Sequence, residues 1–422
     1  MIKGEKIRFD IHNILYSIFK FNKTLNNLEI QNIISKHKKE DVSFLNNVTL
    51  NSMRFHLHAS KIINRYVKKS LGDKERILLI SAITQIVFLD FKEYAVINCS
   101  VEIAKKLNIY HGLINAVLKN ICKDKEKLKK IKIKFNDFPE WFKNKADSLT
   151  ITEKNLFLKN FNREPNIHIV FKDKQSLEKF EEELIITSEV SGFLTCRKKI
   201  KEIESFKKGE WWVQDFSSFF PLQNLIIQKR NIKILDACAA PGGKSFQLLS
   251  KKYQLTLNDK SESRVQILKS NLNRLNFNTK ILMKDFTKFD EDEKYDFIII
   301  DAPCSAVGTI RKNPEIFFKS IGPNFKELDN LQKKMLNKAS NILNTNGLIL
   351  YMVCSFLKNE SENQIYNFLN KRNDFKLCDF HLHNQKTEYS KLVHNKFMLT
   401  LPNTILQYNI DGYFAAYLKK IK

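Results

Sequence analysis

Apolar residues recur three and four apart through the first part of the chain: Ile11, Ile14, Leu15 and Ile18, then Ile97, Val101 and Ala104, then Leu113, Ile114, Val117, Leu118 and Ile121. That spacing lines one face of successive helices, and no period-two alternation interrupts it between about residues 8 and 122, so an all-α domain is expected there. The longest apolar run, Ile77 to Leu89, is broken by Ser, Thr and Gln and is too short to cross a bilayer. Lys123 to Lys134 is lysine-rich with sparse apolar residues and reads as a solvated connector, which puts a boundary near residue 130.

The pattern then changes twice. Between about 136 and 205 it is mixed: Pro139-Glu-Trp-Phe142 opens a helical stretch and Pro165 to Phe171 ends in a short β-branched and aromatic strand, as in a small α+β connector. From about 206 onward strands alternate with helices, the mark of a parallel sheet covered on both faces. The expected strands are Ile232–Asp236, Gln254–Asn258, Thr279–Met283, Asp296–Asp301 and Gly347–Val353, the last after a helix near Phe325 to Leu343. The organisation is therefore 1–130 helical, 131–205 α+β connector and 206–422 α/β.

Composition narrows the partners. Lys plus Arg outnumber Asp plus Glu by 71 to 46, a formal charge of +25 on 422 residues, and such a surface attracts polyanions, nucleic acid first. The 7 cysteines, at 99, 122, 196, 238, 304, 354 and 378, show no Cys-x-x-Cys and no even pairing, so reduced thiols in a cytoplasmic protein are expected, without a disulfide framework or zinc ribbon. Charge breaks up the N-terminal segment as a signal peptide. The 9 histidines are scattered, and His56 and His58, two apart on a helix, read as core or surface residues; no metal site is expected.

Candidate chemistry gathers where the strands end, which is where ligands bind in open α/β sheets. The turn Cys238-Ala239-Ala240-Pro241-Gly242-Gly243-Lys244 follows the first strand and offers small residues, two glycines and a helix N-terminus to a ligand, with Lys244 available for a carboxylate. A nucleotide-triphosphate loop requires Gly where Cys238 stands, and no Gly-x-Gly-x-x-Gly is present. Asp259, Asp285 and Asp301 end or follow the next three strands; Asp at the second is placed for ribose hydroxyls, and Asp285 for an adenine amino group. Cys304 and Cys354, each followed by Ser, sit after the fourth and fifth strands. Two thiols beside one cofactor turn suit attack on an electron-poor ring carbon followed by release, and spacing alone leaves either thiol eligible to attack. Arg311 and Lys312 are candidate phosphate contacts, and an Asp-Ala-Pro-Cys loop lacks the Pro-Pro-aromatic run that amino-group methyltransferases want.

Val213-Gln-Asp-Phe-Ser-Ser218, Asp236 to Lys244, Asp301-Ala-Pro-Cys-Ser-Ala-Val-Gly308 with Arg311 and Pro314-Glu315, Val353-Cys-Ser355 and Asp411-Gly-Tyr-Phe-Ala415 together resemble the RsmB/Sun (Fmu) family of S-adenosylmethionine-dependent ribosomal RNA 5-methylcytosine methyltransferases. Val96 to Lys105 and Leu113 to Lys119 resemble the closing helices of a NusB-like RNA-binding domain, with Cys99 where an acidic residue is usual. The resemblance implies a multidomain fold: an all-α NusB-like N-terminal domain, the small α+β connector and a C-terminal Rossmann-like class I methyltransferase domain. It further implies S-adenosylmethionine held by Cys238 to Lys244 with Asp259, Asp285 and Asp301, Cys354 as nucleophile and Cys304 assisting release. The implied substrate is small-subunit ribosomal RNA, met by a monomer without metal or membrane. Val353 replaces the usual Thr before the nucleophile. The alternatives are a non-catalytic RNA-binding or assembly factor, and the same chemistry on another RNA such as tRNA.

Overall fold

The computed structural model describes residues 3–195, 199–223, 225, 231–289, 292–380 and 387–422. Cys196 lies outside them. The chain divides into two compact units, Met1–Asp147 with Ile310–Pro323, and Ser148–Thr309 with Asn324–Lys422.

The first unit is helical, built from Lys3–Phe21, Leu28–Ser35, Lys39–Arg54, His56–Tyr66, Asp73–Ile83, Glu93–Lys106 and His111–Lys123. Its central helix is Asp73–Ile83: every residue from Ile77 to Ile83 is buried, as expected of a helix that is apolar all round. The apolar run continues into a π-helical turn, Thr84–Phe88, so it is a core element. His58 packs edge-on against Phe55 and Phe88, and His56 Nδ1 lies 2.6 Å from the Met53 carbonyl. Burial lowers both imidazoles to about 4, which makes them neutral core residues.

Residues 123–134 differ from the solvated connector expected. Leu128, which ends a short helix, Lys125–Leu128, and Ile131 just beyond it are buried in the helical core, while Lys123, Lys127 and Lys130 stay exposed. The unit also takes in a segment distant in sequence. Phe317 packs on Phe138, Trp141 and Phe142 at 5.2, 5.5 and 4.7 Å between ring centroids, and Phe318 on Phe19 and His56 at 5.7 and 5.6 Å. Arg54 donates to the Arg311 carbonyl at 3.2 Å, and the Arg311 side chain is only 1% exposed. A buried guanidinium does not meet a phosphate in solvent, so Arg311 is not the phosphate contact expected.

The second unit holds two principal sheets. The smaller is antiparallel, in the order β2-β3-β1-β4, from β1 (Ile167–Phe171), β2 (Leu184–Ser188), β3 (Ser191–Leu194) and β4 (Trp211–Val213). One face of this sheet, with Val170, Phe193 and Trp212, joins the apolar cluster of Phe219, Ile234 and Leu257, while the other packs Ile169, Phe171, Leu194, Ile203 and Trp211 into a small core of its own.

The larger sheet begins with parallel strands β5 (Ile234–Asp236), β6 (Leu255–Asn258), β7 (Lys280–Leu282), β8 (Tyr295–Asp301) and β9 (Leu343–Val353). It later adds β10 (Phe375–Cys378), β11 (Val393–His394) and β12 (Phe397–Thr400) and, after a separate hairpin of β13 (Asn403–Ile405) and β14 (Tyr408–Ile410), β15 (Tyr413–Lys420). The order is β11-β12-β15-β9-β8-β5-β6-β7, with β10 also on β15. The sheet is mixed, since β15 enters antiparallel between β9 and β12. Strand order reverses between β5 and β8, which opens a crevice at their carboxyl ends.

Phe317 is 3% exposed amid three rings from residues 138–142. Phe317→Ala should destabilise the helical unit by about 3 to 5 kcal/mol. Chemical denaturation with hydrogen exchange over residues 3–147 checks this; unchanged protection there would show that the segment adds nothing to that core.

Candidate active site

β5 is short and buried and ends in Asp236, after which the chain turns sharply. Gly242 begins the helix Gly243–Ser250 at φ +118°, and a Cβ there would fall 2.0 Å from the Phe246 ring, so only glycine fits. No side chain caps this helix N-terminus. The turn is braced from outside: Arg264 donates to the Ala240 carbonyl and Asn271 to the Pro241 carbonyl at 3.2 Å. Asn258, at the end of β6, donates to the carbonyls of Ala237 and Lys284, both at 3.1 Å, tying the loops after β5 and β7 together.

The three expected aspartates differ in their engagement. Asp259 is 3% exposed; Oδ1 accepts from the Ser261 N–H at 3.0 Å, while Oδ2 accepts no hydrogen bond and has Arg264 at 3.3 Å. A buried carboxylate oxygen in that state has capacity for hydroxyl donors. Asp285 is exposed and caps the short turn Phe286–Lys288, accepting from Thr287 N–H and Oγ1 at 3.0 and 2.8 Å. The bond from the Thr287 hydroxyl leads the causes that lower its carboxyl. Asp301 receives the Tyr413 hydroxyl on Oδ1 at 2.8 Å and Lys244 Nζ on Oδ2 at 2.6 Å. Burial, then Asp301, keeps Tyr413 protonated, so it donates. Lys244 is thus paired with Asp301, as well as lying 5.4 Å over the Tyr413 ring.

Cys238 sits among these carboxylates. Burial, then Asp236, Asp301 and Asp259 in that order, raises its thiol far above the ordinary range. It is an unreactive thiol lining the turn.

β8 and β9 pair in parallel with Asp301 opposite Met352, so the loops that leave them run side by side. Cys304 Sγ lies 3.4 Å from Cys354 Sγ. The Cys304 thiol is raised well above its ordinary value, first by its hydrogen bond with Cys354 and then by burial, so Cys304 holds a proton facing Cys354. The loop after Cys304 carries Ala306 at φ +58°, a left-handed conformation uncommon outside glycine. Gly308 N–H donates to the Cys354 carbonyl at 3.1 Å, and Gly412 N–H to the Gly308 carbonyl at 2.8 Å. A Cβ on Gly308 would stand 1.8 Å from the Gly412 carbonyl oxygen, so the thiol loops and the Asp411-Gly-Tyr413 turn meet backbone to backbone.

A family model described as 16S rRNA methyltransferase RsmB/F matches residues 223–419, and a NusB family model matches residues 6–123. The chain thus carries an RsmB/F methyltransferase domain behind a NusB domain. It is 27% identical over 419 residues to "Ribosomal RNA small subunit methyltransferase B" of Proteus mirabilis, covering 93% of each chain. Identity to the protein of the same name from Pasteurella multocida is 27% over 365 residues, covering 81% of this chain and 82% of the relative. In fold it is similar to the crystal structure of PH0851, at TM-score 0.71 and 22% identity over 100% of this chain and 99% of the other. A methyltransferase homolog from Pyrococcus horikoshii superposes at TM-score 0.54 and 21% identity over 67% of this chain and 95% of that one.

Within this site the structure brings together Cys238, Lys244, Asp259, Asp301, Cys304 and Cys354, with Asp285 at its rim. The other described cysteines lie elsewhere: burial raises the thiols of Cys99 and Cys378, and that of Cys122 to about 11. Val353 is fully buried beside Ile300, Ala302 and Phe414, where a Thr hydroxyl would need a partner. Asn258, Glu360, Gln332 and Tyr413 were missed as site residues by sequence reasoning. Tyr413 lay within a noted motif, and the serine after each cysteine was the only local hint of the Glu360 contacts. Among the described residues no group of three or more His, Cys, Asp or Glu could hold a metal, and no helix is long and apolar enough to cross a membrane.

Asp236 is 1% exposed, accepts from Ser245 Oγ at 2.6 Å, and is raised by burial from 3.8 to about 6. An acid raised on folding contributes stability that is complete below its ordinary value and is lost as pH rises through the raised one. Relative to the non-titrating Asp236→Asn, the wild type should therefore lose about 3 kcal/mol between about pH 4 and about pH 7. Denaturant midpoints across that range check it; a constant offset between the proteins would contradict it.

Proposed function

We infer that this chain uses S-adenosylmethionine to methylate carbon 5 of a cytosine in small-subunit ribosomal RNA, in the cytoplasm, through a covalent bond between Cys354 and C6. The observation that carries the reading is the thiol pair, 3.4 Å apart, on loops that open at the same strand ends as the Gly-rich turn. The matched methyltransferase model and the names of the relatives support the RNA substrate, as does the formal charge of +25.

The residues present fit the cofactor. The turn from Cys238 to Lys244 offers an uncapped helix N-terminus, and Asp259 offers a buried oxygen without a hydrogen bond. Cys238, Ala239, Ala240, Pro241, Gly242, Gly243, Lys244, Asp259, Asp285 and Asp301 would hold it. When bound, the cofactor supplies an electrophilic methyl on a sulfonium.

Cytosine C5 is a poor nucleophile until C6 is attacked. Cys354, as thiolate, adds to C6; the C5–C6 π bond opens and its electrons make C5 nucleophilic. Asp301, fixed on both oxygens by Tyr413 and Lys244, orients the polar edge of the ring, and Lys244 offsets the charge that develops there. Cys304 waits as a thiol, and the largest cause holding its proton is Cys354. In the adduct the hydrogen bond with Cys354 is gone, and Cys304 gives its proton to water. Its thiolate then takes the C5 proton, the double bond re-forms, and Cys354 leaves as thiolate. The target must be unpaired or flipped, since attack comes on the ring face.

The test is conversion-resistant cytosine mapping of small-subunit ribosomal RNA, naked and in assembling particles, after incubation with cofactor. The wild type should create one 5-methylcytosine and Cys354→Ala none, while Cys304→Ala should accumulate a protein–RNA adduct that survives denaturing electrophoresis. Methylation that persists in Cys354→Ala would refute the assignment of the thiols, and a mark found only on tRNA would move the substrate.

A further inference from the structure

Glu360 is fully buried, with no cation paired to it among the described residues. Its carboxylate is reached instead by donors from both thiol loops. Ser305 N–H donates to Oε1 at 2.7 Å and Ser305 Oγ to Oε2 at 2.5 Å; Ser355 Oγ donates to Oε2 at 2.7 Å. Each serine directly follows a cysteine. One carboxylate therefore bridges the residue after Cys304 and the residue after Cys354, and the two Oγ atoms stand 3.4 Å apart across it.

The remaining bonds close a frame around the thiols. Gln332, fully buried on the helix Phe325–Ile342, donates to the Pro303 carbonyl at 2.9 Å and lies 3.5 Å from Glu360 Oε1. Cys304 is thus held on both sides, at Pro303 by Gln332 and at Ser305 by Glu360. The Cys354 loop is held by Gly308 N–H on its carbonyl and by Ser355 on Glu360. The Tyr351 hydroxyl donates to the Glu360 carbonyl at 2.8 Å, which fixes the carboxylate's own backbone against β9. Charge-assisted hydrogen bonds of this length are among the stronger ones, and burying such a group without donors would be costly.

We propose that Glu360 is the positioning residue of the thiol pair, a buried carboxylate whose hydrogen bonds to Ser305 and Ser355 hold Cys304 and Cys354 within reach of a common ring. The proposal deepens the functional reading above and rests on it for the meaning of the pair. The negative charge also bears on the thiols, being among the causes that raise Cys304. Glu360 touches no reacting atom and acts through the two loops.

The effect on the loops can be read without RNA or cofactor. With an aromatic disulfide such as dithiodipyridine, one thiol of the pair attacks the reagent's sulfur–sulfur bond, releasing one thiopyridone and leaving a mixed disulfide. The second thiol, losing its proton to solvent, displaces the other thiopyridone. The pair is oxidised to a Cys304–Cys354 disulfide and the reagent is reduced to two thiopyridones. The second step is intramolecular, so its rate reports how well the thiols are held together. Closure is followed by peptide mass mapping, with the thermal midpoint as the control for general destabilisation.

Glu360→Gln keeps the length but removes the charge and offers the Ser305 and Ser355 hydroxyls a donor in place of the shared acceptor, and should slow closure by about tenfold or more in a protein that still folds. Ser355→Ala, which frees only the Cys354 loop, should slow it by less. Closure at the wild-type rate in folded Glu360→Gln overturns the proposal. If that variant does not fold, Ser355→Ala decides: slowed closure supports the proposal, and an unchanged rate overturns it. Methyl transfer by the wild type is measured alongside, so slow closure in a protein that methylates no RNA would uphold the positioning role and sink the functional reading.

Discussion

Neighbouring parallel strands stand about 4.8 Å apart, and everything in the candidate site depends on that spacing between β8 and β9. With Asp301 opposite Met352, the chains leave the sheet side by side and their first residues bring two sulfurs to 3.4 Å. A register slip of one residue would turn one cysteine to the other face. The apolar burial of Ile298, Ile299 and Ile300 against Ile349, Leu350 and Tyr351 therefore does more than stabilise a sheet. On the other flank of β9, β15 pairs Phe414 with Val353, which delivers Tyr413 to Asp301.

Electrostatics divides the protein by depth. The chain as a whole carries a formal charge of +25, yet Asp236, Asp259, Asp301 and Glu360 gather at the strand ends. A basic exterior draws in a polyanion from a distance, while an acidic lining accepts hydrogen bonds from hydroxyl and amino groups at close range. Burial, then Asp236, Asp301 and Asp259, raises the thiol of Cys238, and the bond with Cys354, then burial, raises that of Cys304. Seven thiols in one chain thus do not mean seven nucleophiles.

What was legible in the sequence is what short-range pattern encodes. The parallel strands fall within a few residues of their expected positions because each is a short run with apolar residues beside a helical period; β9 differs most, starting at Leu343, where Asn346 at φ +64° admits a bulge. The Gly-rich turn and both thiols could be found because their spacing after strands is local. The acceptor that joins the thiol loops could not, since Glu360 reads as one more acid in a polar stretch until folding buries it. Nor could β10, β11, β12 and β15 be set in order, since antiparallel additions to a parallel sheet depend on which edge is left open. Residues 123–134 misled because lysine count outweighed Leu128 and Ile131, whose spacing of three was itself a helical signal.

The excursion of residues 310–323 into the helical unit bears on how such a chain can change over time. The segment begins six residues after Cys304 and carries Phe317 and Phe318 into a core otherwise made by residues before 147. A gene fusion joins modules at one point, but here the two compact units share three covalent crossings, one near 147 and two at the ends of the segment. Exchange of the helical front between relatives would have to carry residues 310–323 with it. Inheritance of the front end and of the loop beside the thiols is thereby coupled, and the two are expected to drift together rather than shuffle.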